Sequence, residues 1–311
     1  MLKLTQKHLL TGEELSLDEI KSLLSLASEL KIKRKEGYGK ELLKGKQLAL
    51  LFDKASLRTR FSFIIAMDEL GGSVVESLGE TRKKEEPEDV AHVIEGYCDA
   101  VMMRTHSDEI LTRMGGVSKI PIINGLSDLH HPCQILADFL TLQEVFGKLE
   151  GLKLAYIGDG NNILHSLLLL APLVGIHLHY CCPKICQPSG EILKKAMERA
   201  KTTKGSITAC QTPIAAVKEA HAVYTDVWTS MGFEDKTDES AFVGMQVNEK
   251  LMKHALPEAI FMHCLPMIRG KEVSQTLPDT PASMIFKQSE NRLHVQKALL
   301  VGLMAKQGDL K

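Results

Sequence analysis

Apolar residues along this chain recur with two periods. From Leu17 to Lys33 they fall at helical spacing, and Ser16 followed three residues later by Glu19 predicts a capped helix start. Thereafter short apolar runs alternate with amphipathic stretches. KQLALLF, GSVVESL, AVMMR and KIPIIN read as strands, separated by helices over 57–70, 87–97, 107–115 and 131–145. LKLAYIG, IHLHYCC, SITAC, HAVYTDV and IFMHCL repeat the theme, with helices near 161–173, 188–203, 212–219 and 247–254. The final pattern, ENRLHVQKALLVGLMAK, predicts an amphipathic helix with Lys297 and Lys306 on its polar side.

Strands alternating with helices imply parallel sheets built from βαβ units, with right-handed crossovers laying helices on both faces. The expected fold is α/β, with two doubly wound parallel-sheet domains joined by helices. The change-over falls near residues 135–150, so one domain is expected over 1–135 and a second over 136–289.

Composition narrows the function. The chain has 311 residues, 44% hydrophobic and 25% charged, which suits an ordinary globular protein of two domains. A formal net charge of -1 gives no global field for nucleic acid or an anionic membrane, so neither is expected as a partner. The N-terminus MLKLTQKHLLTGEEL lacks the apolar core of a secretory signal. LHSLLLLAPLVGIHLHYCC is interrupted by Pro172 and its histidines, and falls short of the roughly 20 apolar residues a membrane helix needs. Seven cysteines, an odd count, fit reduced thiols in a cytoplasm better than a disulfide framework. GETRKKEEPED reads either as a solvated loop or as a lid beside an anion site.

Ligands of open parallel sheets bind outside the carboxyl ends of the strands. The first such end reads FDKASLRTR. A helix start offers unpaired N–H groups and the positive end of the dipole. Ser56 and Thr59 add hydroxyls, and Arg58 and Arg60 add forked donors suited to phosphate oxygens. The alternative is a capped helix whose arginines pair with surface carboxylates. Two further strand ends supply Arg104 in AVMMRTHSDE and His131 with Gln134 in NGLSDLHHPCQ. His131 precedes Pro132, which holds it out of the helical region. In the second half, YIGDGNNILHS has Ile163 where a dinucleotide fingerprint needs its third glycine, and IHLHYCCPK ends without an acid for a ribose. NAD is therefore not expected. HLHYCCPKIC alternates like a strand and lacks ordinary zinc spacing, so no metal and no cofactor are expected. Asp226, at a strand end, suits an ammonium group or a helix cap. Cys98, Cys133 and Cys210 read as packing residues.

SLRTR, HPCQ, DVWTSMG at 226–232 and HCLP at 263–266 occur in the order found in the carbamoyltransferases, and from near Thr5 to near Met304 the chain resembles that family. HCLP with DVWTSMG is similar to its ornithine branch. The resemblance implies that Ser56, the Leu57 N–H, Arg58, Thr59 and Arg104 hold the phosphate of carbamoyl phosphate, while Thr59, Arg104 and His131 contact the carbonyl oxygen. Gln134 and the carbonyls of Cys264 and Leu265 would receive the carbamoyl NH2. Arg292, in the last helix, would reach back to the first domain, so that helix (290–306) is expected to pack there. For the amino acid, Asn162 would bind the α-carboxylate, Asp226 and Ser230 the α-amino group, and the Met231 backbone would complete the clamp. Cys264 would orient the δ-amine and favour its free form. Arg104, His131, Cys264 and Arg292 are the implied catalytic set. Attack of a neutral δ-amine on the carbamoyl carbon would give citrulline and phosphate, in a homotrimer without cofactor.

Several positions depart from the family pattern. Ile64 stands where an acid is common, Val90 and His92 interrupt a D-T-A-R-type segment, Met267 replaces a frequent arginine, and 78–86 differs from the usual lid. A transferase for putrescine or an acylated ornithine, or a non-catalytic metabolite sensor, are the rival readings. DVWTSMG argues against putrescine, which has no α-amino acid to clamp.

Overall fold

The computed structural model describes residues 4–79, 85–229 and 239–305. The described chain forms two α/β units, Met1–Leu140 with Glu290–Lys311 and Thr141–Ser289. Among the described residues no helix is long and apolar enough to cross a membrane.

The first unit opens with α1 (Leu17–Ile32). Ser16 and Glu19 form the reciprocal capping box expected of their spacing, and Glu19 also receives the Thr5 N–H at 2.6 Å. Four parallel strands follow: β1 (Gln47–Phe52), β2 (Ser73–Leu78), β3 (Ala100–Arg104) and β4 (Ile122–Leu126), in the order β2-β1-β3-β4. The helices between them are α2 (Arg58–Glu69), α3 (Pro87–Glu95) and α4 (Asp108–Val117). Ala49, Leu51, Val101 and Met103 alternate along β1 and β3 into one core layer with Val90, Leu111 and Met114 of the helices. The chain order reverses between β1 and β3, where Phe52 lies beside Arg104. That pair of strand ends is the unit's topological switch point.

Helix α5 (Pro132–Phe146) leads into the second unit. Its five parallel strands are β5 (Lys153–Ile157), β6 (His177–Cys181), β7 (Ser206–Ala209), β8 (Ala222–Thr225) and β9 (Ile260–His263), in the order β7-β6-β5-β8-β9. Connecting helices are α6 (Asn162–Leu170), α7 (Gly190–Ala200), α8 (Pro213–Val217) and α9 (Glu249–Met252). Ala155, Val223 and Phe261 pack with Val217, Phe242 and Leu251 in its core. The switch point here lies between β5 and β8, where Ile157 pairs with Thr225.

The last helix, α10 (Ile285–Met304), begins before the expected Glu290, and its C-terminal part belongs to the first unit. Lys297 is not on a polar face as its sequence pattern predicts. It is buried, and its Nζ meets Glu69 Oε2 at 2.9 Å. Glu69 also accepts two hydrogen bonds from Arg34. A long aliphatic stem let Lys297 occupy an interior position because α2 supplies the counter-charge. Lys306 lies outside the described residues.

Removing one partner of such a pair leaves a buried charge uncompensated. Glu69→Ala is expected to cost on the order of 3 kcal/mol in urea unfolding, and adding Lys297→Met should restore part of that loss.

Candidate active site

In the first unit the residues expected at the anion site come from four separate elements. Leu57 caps α2 with its backbone, and Ser56 Oγ accepts the Thr59 N–H at 3.2 Å. Arg104 ends β3 and is buried, as are Thr59, His131 and Gln134. His131 directly precedes α5, which begins at Pro132. Arg292 reaches them from α10. Its Nη1 donates to Gln134 Oε1 at 2.7 Å and lies 3.5 Å from His131 Nε2, and its Nη2 donates to Thr59 Oγ1 at 3.2 Å. With the Gln296 amide oxygen turned toward it, Arg292 gains a further acceptor at 3.0 Å. Gln134 passes the network on to Asp138 at 2.9 Å.

Burial, and then the charges of Arg292, Arg104 and Arg58, hold the His131 pKa well below its ordinary value. The imidazole is therefore neutral at physiological pH, so one ring nitrogen carries a proton and the other accepts. Arg60 behaves differently. It forms a two-bond pair with Glu76 of β2, at 2.8 and 2.7 Å, so it follows the surface-carboxylate alternative rather than the phosphate one. Lys54, earlier in the same loop, pairs with Asp128.

In the second unit the switch point gathers a different set. Asp226 follows β8, and its Oδ2 accepts from Asn161 Nδ2 at 2.8 Å. Asn161 Oδ1 caps α6 by accepting from Ile163 and Leu164 N–H, and meets the Tyr156 hydroxyl at 3.3 Å. Asp226 Oδ1 accepts from the Cys264 thiol at 3.1 Å. Tyr156 and Asn161 were not singled out in the sequence. Their signal was the doubled asparagine of GDGNN, where the first member is the cap and the second, Asn162, opens the helix. The glycines of this loop have steric reasons. A Cβ on Gly160 would sit 2.4 Å from the backbone of Gln187 and Pro188. Ser230 and Met231 lie outside the described residues, as does part of the 78–86 segment.

The HCLP turn is held from beneath. His263, fully buried, accepts the Leu265 N–H on Nδ1 at 2.9 Å, so its proton sits on Nε2, 3.2 Å from Glu272 Oε1. Glu272 also accepts the Ile268 N–H. Leu265 has φ +62°, a conformation rare for a residue with a side chain, and the Leu265–Pro266 bond is cis. Ligand-type atoms of Asp226, His263 and Cys264 lie within 4.8 Å of one another. Both His263 nitrogens and the Cys264 thiol already have hydrogen-bond partners there, which does not favour a metal. Cys98 and Cys133 are buried, and Cys210 packs against the second unit's core.

A model of the carbamoyl-P binding domain of aspartate/ornithine carbamoyltransferases matches residues 7–144, and that of their Asp/Orn binding domain matches 150–303. The chain belongs to the aspartate/ornithine carbamoyltransferase family. Ornithine carbamoyltransferase of Bacillus cereus is 46% identical over 305 residues, covering 97% of this chain and 95% of that protein. The Anoxybacillus flavithermus ornithine carbamoyltransferase is 44% identical, covering 97% and 98%. The solved ornithine carbamoyltransferase of Pyrococcus furiosus superposes with a TM-score of 0.93 at 40% identity, covering 98% of this chain and 99% of that one. The chain is thus an enzyme of the carbamoyltransferase class, and the two sets of strand-end residues are its candidate substrate sites.

One further carboxyl stands at the second switch point. Burial, and then the charge of Asp226, push Asp159 up to about 6. The folded state therefore keeps a proton that the unfolded chain releases near pH 4. Stability from this group is full below pH 4 and is lost as pH rises through about 6. Asp159→Asn should flatten the stability profile between those limits, by at most about 3 kcal/mol. Urea unfolding at stepped pH checks this; identical slopes for variant and wild type would refute it.

Proposed function

We propose that this carbamoyltransferase moves the carbamoyl group of carbamoyl phosphate to the δ-amine of L-ornithine, giving L-citrulline and phosphate. The observation that carries the reading is the buried, neutral His131 surrounded by the charges of Arg58, Arg104 and Arg292 beside the open start of α2. Such an arrangement suits a small dianion next to a carbonyl that must be polarised. Ornithine is favoured as acceptor by the relatives' names and by Asp226, whose carboxylate is ordered by an amide and a thiol.

In this mechanism Ser56, the Leu57 N–H, Arg58, Thr59 and Arg104 hold the phosphate. Thr59, Arg104 and His131 donate to the carbonyl oxygen, where negative charge grows as the amine adds. Gln134, and the carbonyls of Cys264 and Leu265, take the carbamoyl NH2. Arg292 contributes to the same site through its bonds to Gln134 and Thr59. Asp226 and Ser230 bind the α-amino group of ornithine, Asn162 binds its carboxylate, and the Met231 backbone completes the clamp. Cys264 orients the δ-amine. The amine nitrogen bonds to the carbamoyl carbon, the carbon–oxygen bond to phosphate breaks, and its electron pair leaves with phosphate. The surplus amine proton passes to the departing phosphate, which leaves as hydrogen phosphate while the tetrahedral centre collapses.

We assign carbamoyl phosphate chiefly to 1–135 with 290–306, and ornithine to 136–289. We assign the protein to the cytoplasm, in keeping with seven cysteines that form no disulfide. We also assign a homotrimer, in keeping with the exposed Leu57, Phe61, Val75, Leu78 and Tyr97 around α2, β2 and α3, which a second copy of the chain would cover.

A carbamoyl-transfer assay with ornithine, acylated ornithine and putrescine tests the reading, with turnover expected on ornithine. Carbamoyl phosphate bound without turnover of any amine would refute it. Arg58→Ala should raise the KM for carbamoyl phosphate by on the order of a hundredfold, since a charged donor to phosphate is lost. Asp226→Asn should weaken ornithine in the same assay while leaving carbamoyl phosphate binding, measured by calorimetry, within about twofold.

A further inference from the structure

Asp108 opens α4 and takes no part in the mechanism above, yet its carboxylate receives three hydrogen bonds from the loop between β4 and α5. Its Oδ1 lies 2.6 Å from Ser127 Oγ and 2.7 Å from His130 Nδ1, and its Oδ2 accepts the Leu129 N–H at 3.0 Å. An ionised carboxylate only accepts, so His130 carries its proton on Nδ1. The loop is knotted inward as well. Ser127 Oγ receives Asn124 Nδ2 at 2.8 Å and the His130 N–H at 3.3 Å, and the Ser127 N–H donates to the His130 carbonyl at 2.9 Å. Ser127 and Asn124 are fully buried, and His130 nearly so.

This loop ends at His131. The residue after it, Pro132, starts the helix that carries Gln134. Four residues, Ser127 to His130, thus fix where the imidazole and the amide of the anion site begin, and one carboxylate from another element grips three of the four. Burial raises the Asp108 pKa, but the bonds from His130 and Ser127, the charge of His130 and the Leu129 N–H outweigh it and hold the group below its ordinary value.

We propose that Asp108 is a positioning residue, clamping the β4–α5 loop so that His131 and Gln134 meet the carbamoyl group in register. The kinetic part of this inference rests on the carbamoyl-transfer reading; the structural part does not. A misplacement of about 1 Å in a group that stabilises a transition state costs orders of magnitude in rate.

The test compares wild type with Asp108→Ala and Asp108→Asn. The alanine variant should lose about tenfold or more in kcat and raise the carbamoyl phosphate KM by a similar factor, with the ornithine KM within about twofold. Asparagine keeps an acceptor for Ser127 and His130 and should recover most of that loss. In crystals of the alanine variant His131 should be displaced. Unchanged kinetics, an equal loss toward both substrates, or no recovery by asparagine would overturn the clamp. If the alanine variant does not fold, the asparagine variant decides: a few-fold rise confined to the carbamoyl phosphate KM is expected, and wild-type constants would overturn the proposal. Wild-type protein inactive on carbamoyl phosphate and ornithine would sink the carbamoyl-transfer reading instead; an unmoved His131 in the variant crystal would then still overturn the clamp, and a moved one would support its structural part.

Discussion

Three guanidinium groups brought close to one imidazole repel each other, and the first unit exists to hold them there. They come from α2, β3 and α10, so no short peptide could assemble the cluster. The repulsion is shared out over neutral acceptors: Gln134, Thr59 and Gln296 all face Arg292. His131 stays neutral because both burial and its neighbours disfavour another charge. Arg60 is led away to Glu76, which keeps a further cation out of the crowd. A site arranged this way has its dipoles and charges fixed before the substrate arrives, which is where most electrostatic catalysis originates.

The second unit solves the opposite problem with the Asp226 carboxylate. It is approached from two sides, by the Asn161 amide and the Cys264 thiol, and both are neutral donors. They order the carboxylate without cancelling its charge, leaving it able to attract a cation. The support reaches outward through Tyr156 on β5 and through the buried His263–Glu272 pair beneath the HCLP turn. The candidate site residues therefore depend on an outer layer of hydrogen-bond partners.

Much of this architecture was legible in the sequence. Period-two and helical patterns gave both parallel sheets, because strands buried on two faces are nearly continuous apolar runs. The strand-end rule led to Arg58, Arg104, His131 and Asp226, since each lies at the carboxyl end of a predicted strand or in the loop just after it. What escaped was decided by contacts between distant segments. Lys297 looked solvent-facing because helical spacing carries no record of Glu69. Arg60 looked like a phosphate ligand because its partner sits sixteen residues away on β2. Glu272 and Asp108 carried no local motif at all; their importance lies in what they touch. Asn161 was hidden beside Asn162, since a cap and a ligand share the same side chain chemistry.

The hydrogen bond from Arg292 to Thr59 spans 233 positions of sequence. The first unit is therefore discontinuous, closed by a helix at the far end of the chain, whereas the second is built from one uninterrupted stretch. During synthesis the ribosome delivers everything the second unit needs before it delivers the part of α10, from Glu290 on, that belongs to the first. The earlier-made portion must wait, with its α10-facing surface uncovered, until the final turns emerge. Closing so long a loop costs little more entropy than closing a shorter one, because that cost grows only logarithmically. The delay is one of translation time, and during it the surface that α10 will cover stays exposed.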